Sequence, residues 1–316
     1  MMLPAQPPVE VVDAQIHMWE VDGPDHPWDA NFGTEDAAAA ATRAHYTGRI
    51  VGDHATLTAM AVAGVDAALI VTPAIYGNDN SYGLSVVAGY PDRFRLIGRI
   101  DPSTMDLEQK VAASHGSGLV GYRIVIANQD SYERLVGGYF DRLLAAAADF
   151  GVPICIYLPR RVAHVRDLSR RFPTLSITLD HLGLPQPPLV QPGEDAWESL
   201  PDVVALAEIP TVTVKLTAVP TMSSQPHPHT DLWPYLHRIL RAFGPDRIMW
   251  GSDWTRPESP GTYREGVTYI SETDELGPAE KALVLGGTLR HVFRWRKVVR
   301  QNGVSASSSL PSCGMK

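Results

Sequence analysis

Short apolar runs rich in β-branched residues recur along the chain, and between them lie stretches whose apolar positions follow helical spacing. Eight runs stand out: EVVDAQI (10–16), AALIVTP (67–73), FRLIGRI (94–100), GLVGYRIV (118–125), VPICIYL (152–158), LSITLDH (175–181), TVTVKLT (211–217) and DRIMWGS (246–252). Most are too short and too continuously apolar for a one-sided sheet, and strands covered on both faces read this way. The intervening stretches carry stop signals. HATLTAMAVAGVD, FDRLLAAAADFGV and TDLWPYLHRILRAFGPD end at Gly64, Gly151 and Gly244, each placed where a left-handed residue closes a helix, and RVAHVRDLSRRFP stops before Pro173. Strands alternating with helices predict an α/β protein with a parallel sheet, and eight such units predict closure into a (β/α)8 TIM barrel. An open doubly wound sheet is the competing arrangement, since a strand count does not impose closure. No interior stretch reads as a linker, so residues 1–299 are expected to form one domain, with RQNGVSASSSLPSCGMK (300–316) as a mobile tail.

In such a barrel, reactive groups gather at the C-terminal ends of the strands. Six of the eight runs end in polar groups: Gln15 and His17; Tyr122 and Arg123; Tyr157 with Arg160 and Arg161; Asp180 and His181; Lys215 and Thr217; Ser252 and Asp253. In VVDAQIHMWE the residues Asp13, Gln15 and His17 stand two apart, and simple strand alternation turns all three to one side. Each group also has a plain structural alternative. Asp13 can tie strands together, His181 can be a satisfied histidine at a strand end, and Asp253 can cap the segment that follows. Arg160 and Arg161 read as solvated or paired with nearby acids. His227 and His229 have the two-apart spacing of metal ligands, but their Pro- and Ser-rich loop holds no neighbouring acids, so they read as loop residues.

Composition narrows the partners. With 316 residues, 44% hydrophobic and 20% charged, the chain can bury a large core. A formal charge of −8 argues against nucleic acid and anionic membrane surfaces as partners. No apolar run approaches the ~20 residues of a membrane span, and MMLPAQPPVE has neither the basic flank nor the apolar stretch of a signal peptide, so a cytoplasmic location is expected. Two cysteines, Cys155 and Cys313, supply neither a disulfide framework nor a thiolate metal site. A homo-oligomer is compatible with all of this.

The chain resembles the amidohydrolase superfamily, in the group that includes 2-pyrone-4,6-dicarboxylate lactonase, 4-sulfomuconolactonase and L-fuconolactonase. The resemblance runs from about Val11 to Trp295. It rests on DAQIHMW, GVDAALIVTPAIYGNDNSY, PDRFRLIGRIDP, GLVGYRIV, LDHLGLP, TVTVKLTAVP and DRIMWGSDWTRP, in that order and spacing. It implies a distorted (β/α)8 barrel in which the first strand ends in His-x-His, the sixth supplies a histidine and the eighth an aspartate. His17, His181 and Asp253 fit that pattern. Gln15 stands where the first histidine is expected, and Tyr157 stands where metal-dependent relatives often place another. A neutral amide is a poor zinc ligand. The resemblance therefore favours no cofactor, with a single divalent metal such as zinc on His17, His181 and Asp253 as the alternative.

The resulting expectation is a hydrolase that opens a small lactone bearing a carboxylate. Asp253 activates water as general base, its basicity raised by desolvation, while His17 and His181 polarise the carbonyl directly or through a metal. Gln15 orients water or substrate; Arg123, Lys215 and Arg256 hold a small anionic substrate at the mouth. Tyr157, Tyr76 and Asn80, with Trp19 and Trp28 from the long loop after the first strand, form walls or a lid. A metal-dependent non-oxidative decarboxylase and an inactive binding barrel are the competing readings.

Overall fold

A computed structural model describes residues 9–33, 37–256 and 261–296. The proposed tail, 300–316, lies outside the described residues. All eight apolar runs form strands: β1 (Val12–Ile16), β2 (Ala67–Val71), β3 (Phe94–Gly98), β4 (Leu119–Val125), β5 (Ile154–Tyr157), β6 (Ile177–Leu179), β7 (Val212–Thr217) and β8 (Ile248–Gly251). They run parallel in the order β1 to β8, each beside its sequence neighbour, in a nearly closed (β/α)8 barrel. The open doubly wound sheet is thereby ruled out. Among the described residues no helix is long and apolar enough to cross a membrane.

The helices follow the stop signals. Asp53–Ala63 and Asp141–Phe150 end at Gly64 (φ 80°) and Gly151 (φ 62°), both left-handed. Trp233–Phe243 ends at Gly244, whose φ of 72° is positive but whose ψ of 154° is extended, so it turns the chain without a left-handed cap. His164–Arg171 stops two residues before Pro173.

Strand parity separates two apolar regions. Phe94, Leu96, Ile154, Ile156, Ile177, Val212, Val214 and Trp250 point outward into the layer packed by the helices. Val12, Ala14, Leu69, Val71, Ile97, Cys155 and Met249 point inward, and Leu289, Phe293 and Trp295 plug the N-terminal end. Higher in the interior the positions turn polar: Thr178 and Thr213 share a hydrogen bond of 2.9 Å, and Lys215 lies fully buried above them. Tyr122, counted from sequence among the rim groups, faces outward instead, and its neighbour Arg123 faces in.

The seam between β8 and β1 is closed through Asp13. Its Oδ1 accepts the Ser252 and Gln15 backbone N–H groups at 2.9 Å each; its Oδ2 accepts the Ser252 hydroxyl and, at 2.8 Å, the Tyr263 hydroxyl. Desolvation pushes this fully buried carboxyl up to about 6, against the lowering effect of those bonds. The pairing register of β1 shifts between Asp13 and Ile16. That irregularity corrects the alternation expected for VVDAQIHMWE: Asp13 turns to the seam, while Gln15 and His17 turn to the barrel mouth.

Candidate active site

Three strand ends deliver the central groups. His17 follows β1, His181 follows β6 and Asp253 follows β8. His181 (φ 55°) and Asp253 (φ 49°) both take the left-handed backbone that non-glycine residues seldom adopt, a conformation costing on the order of 1 kcal/mol each. Hydrogen bonds hold the turns in place: Asp253 N–H donates to the Gln15 carbonyl at 3.0 Å, and Leu184 N–H donates to the His181 carbonyl at 3.0 Å. Gly183 completes the β6 turn at φ 68°, where any side chain would also collide with Val162.

The side chains converge. His17 Nε2 lies 3.4 Å from Asp253 Oδ1, and His181 Nε2 lies 3.9 Å from Asp253 Oδ2. Gln15 Nε2 lies 3.2 Å from His181 Nε2. The Tyr157 ring stands edge-on to His181, with centroids 5.1 Å apart. Arg256 is fixed by Gln186 Oε1 and the Pro187 carbonyl, both at 2.6 Å, with Nη1 4.0 Å from Asp253 Oδ2.

Both histidines commit Nδ1 to backbone carbonyls, His17 to Val71 at 2.7 Å and His181 to Thr217 at 3.3 Å. Those contacts require Nδ1–H. Burial lowers both pKa values, against the attraction of Asp253, and takes His181 down to about 4. A neutral imidazole has a single N–H, so Nε2 of each ring is an acceptor. For His181 that acceptor faces the Gln15 amide; for His17 it faces the Asp253 carboxylate. This corrects the expectation that the histidines donate to a substrate carbonyl.

Asp253 also departs from expectation. Burial works to raise its pKa, but His17, His181, Arg256 and Arg123 outweigh that and hold it below the usual carboxylate range. It is ionised at neutral pH. Its Oδ1 is buried and accepts no hydrogen bond among the described residues.

The cations divide unevenly. Lys215 Nζ lies 2.9 Å from Asp180 Oδ1, and Arg123 Nε donates to Asp180 Oδ2 at 2.7 Å. Burial alone would raise Asp180; Lys215 and Arg123 reverse this and keep it well below the ordinary value. Lys215 is entirely buried in this pair, which corrects its expected place at the mouth. Arg123 uses Nε for this pair and keeps 10% of its side chain exposed, where Lys215 has none.

The expected wall residues lie one layer back. Trp19 is buried and donates to the Tyr46 and Arg49 carbonyls at 3.0 and 2.6 Å, and Trp28 is buried and donates to the Glu20 carbonyl at 3.0 Å. Tyr76 accepts the Glu20 N–H through its hydroxyl at 3.0 Å. Asn80 braces the ends of β2 and β3, bonding Thr72 and the Arg99 backbone. These placements correct a direct wall or lid role for all four. His227 and His229 bond within their own neighbourhood, to Thr268 at 2.8 Å and the Gln225 carbonyl at 2.9 Å.

Sequence reasoning missed three residues. Gln186 bridges Arg256 to the Thr217 carbonyl, and only its place after LDHLGLP hints at this. Tyr46, packed edge-on against Trp19 with centroids 4.8 Å apart, brings its phenol within the field of Asp253, Arg123 and Arg99. Arg99 was visible in FRLIGRI as a polar group ending the third run.

An amidohydrolase family model matches residues 12–295. The chain belongs to this family. It is 25% identical to an L-fucono-1,5-lactonase of Burkholderia ambifaria over 90% of this chain and 95% of that protein. It is 28% identical to a 4-sulfomuconolactone hydrolase of Hydrogenophaga intermedia over 62% of each. Its fold is shared with an amidohydrolase from Burkholderia multivorans crystallised with bound zinc, at TM-score 0.72 and 22% identity, over 90% of this chain and 99% of that one.

His17, His181 and Asp253 are donors of the kind zinc takes. As arranged here they do not make a cage. The His181 Nε2 lone pair faces the Gln15 amide nitrogen, a neutral amide stands where a fourth ligand would, and among the described residues no three His, Cys, Asp or Glu side chains are gathered to hold a metal.

Proposed function

We propose that this amidohydrolase opens a small lactone bearing a carboxylate, with Asp253 as general base and no metal taking part. The observation carrying this reading is the Asp253 carboxylate, ionised and buried, with Oδ1 unbonded and the His17 Nε2 acceptor 3.4 Å away. The activities named for the fuconolactonase and sulfomuconolactone hydrolase relatives support the substrate class.

A water between these acceptors gives one proton to Asp253 while His17 Nε2 accepts a hydrogen bond from the other. The water oxygen adds to the lactone carbonyl carbon. The oxygen that gains charge is stabilised by the Arg123 Nη groups, held in place through Nε on Asp180. The ring C–O bond then breaks, and the proton on Asp253 passes to the departing ring oxygen. The products are an alcohol and a carboxylic acid on one molecule, and the acid ionises to release one proton. A lactone suits this site better than an amide, because its leaving oxygen asks less of the electrophile.

The test is a panel of γ- and δ-lactones assayed by proton release, with enzyme of measured metal content, before and after chelator treatment. Turnover that survives chelation within about two-fold is expected. Stoichiometric zinc whose removal abolishes activity overturns the metal-free mechanism, and an inert protein across the panel overturns the lactone reading.

A further inference from the structure

Arg99 continues β3 directly past Gly98. Ile97 faces the barrel interior, so Arg99, two residues on, faces the same way. Gly98 pairs with Tyr122, which sets Arg99 beside Arg123 at the top of the adjoining strand. The backbone of Arg99 is clamped from both sides. Asn80 Oδ1 accepts its N–H at 2.9 Å, Asn80 Nδ2 donates to its carbonyl at 2.8 Å, and the Thr72 hydroxyl holds Asn80 Oδ1 at 2.8 Å. The guanidinium itself makes no hydrogen bond or ion pair among the described residues.

Two guanidinium groups thus stand side by side: Arg123 is paired with Asp180, whereas Arg99 feels the charge of Asp29 without an ion pair to it. Burial and the neighbouring Arg123 charge push Arg99 down to about 10. The protein has 35 acidic residues against 27 Lys and Arg, so acids to neutralise this cation are not scarce in the chain. Held by its backbone, with no side-chain partner among the described residues, Arg99 offers its whole guanidinium fork to an anion. Arg123 is the cation assigned to the reacting carbonyl, so an anion bound at Arg99 beside it is a substituent and not the scissile ester. Tyr46, which burial keeps protonated by raising it to about 12, offers a neutral donor beside it.

We propose that Arg99 is the anchor for a carboxylate carried on the lactone away from its ester, and that it makes the enzyme select acidic lactones over neutral ones; this rests on the lactone reading above. Its planar fork matches a carboxylate, and the subsite sits on a strand end and not on a loop.

The test compares wild type, Arg99→Gln and Arg99→Lys on 5-oxotetrahydrofuran-2-carboxylate and the corresponding carboxamide. Glutarate, which cannot be hydrolysed, serves as a binding probe by calorimetry, and matching thermal unfolding curves establish that the variants fold. The kcat/KM ratio of acid to amide should fall about 10- to 100-fold in Arg99→Gln, mostly through KM, with glutarate affinity falling in step and Arg99→Lys keeping most of both. A ratio and an affinity within two-fold of wild type in Arg99→Gln overturn the subsite while leaving lactone hydrolysis standing. Arg99-dependent glutarate binding by a wild type that opens neither lactone supports the subsite and sinks the lactone reading. Failure of wild type to bind glutarate counts against the subsite whatever the turnover.

Discussion

Replacing Asp13 by asparagine tests how the barrel seam is held. The wild-type carboxyl rises from 3.8 to about 6 on folding, so the folded state prefers the protonated acid. Stability from this group is fullest below pH 3.8 and is lost as pH rises through 6. The full loss is about 3 kcal/mol at 1.36 kcal/mol per pKa unit, and roughly 2 kcal/mol of it falls between pH 4 and pH 8. Asp13→Asn keeps an oxygen for the Gln15 and Ser252 N–H groups but turns an amide nitrogen toward the Ser252 and Tyr263 hydroxyls, a fixed cost on the order of 1 kcal/mol. Urea unfolding of both proteins at pH 4, 6 and 8 gives the difference, from which other titrating groups cancel. That difference should move by roughly 2 kcal/mol in the variant's favour as pH rises from 4 to 8. A constant difference, or one moving the other way, would mean that the four hydrogen bonds outweigh burial and that the seam is held by a favoured anion.

Asp180→Ala leaves Lys215 and Arg123 as buried cations without their acid, and should lower stability by about 3–5 kcal/mol in urea unfolding; a loss under 1 kcal/mol would mean that the pair is not structural. His181 should stay neutral until pH approaches 4 when its ring is followed by NMR, and the stability it contributes above pH 6.5 should fall by about 3 kcal/mol as pH drops to 4. An imidazole midpoint near 6.5 would contradict its burial. By the same reasoning, kcat/KM for a lactone should show no acid limb at the ordinary imidazole pKa, because both histidines and Asp253 are held below their usual values.

The eight strands were legible because a parallel sheet covered on both faces needs little beyond apolar runs and stop signals, and every run became a strand within a few residues of its expected bounds. The meeting of His17, His181 and Asp253 was legible for a similar reason: strand ends of a barrel share one rim. The facing of Asp13 was not. Its turn to the seam depends on Ser252 and Tyr263, more than 200 residues away, and alternation within one strand carries no trace of them. Lys215 and Arg99 show the same limit. Both are cations at or near strand ends, and depth in the barrel decides which one pairs with Asp180 and which makes no ion pair among the described residues. Protonation was hidden as well, since Nδ1 of each histidine is claimed by a carbonyl on another strand or its following turn. The expected rise in Asp253 basicity failed because the cations and imidazoles around it outweigh its burial.

The central claim is that Asp253 takes the proton of the attacking water. The decisive measurement is kcat/KM of Asp253→Asn on a lactone the wild type opens, with unfolding curves confirming that the variant folds. Loss of a general base of this kind should cost about 10²- to 10⁴-fold. Activity within ten-fold of wild type would place the base elsewhere and remove the mechanism proposed here.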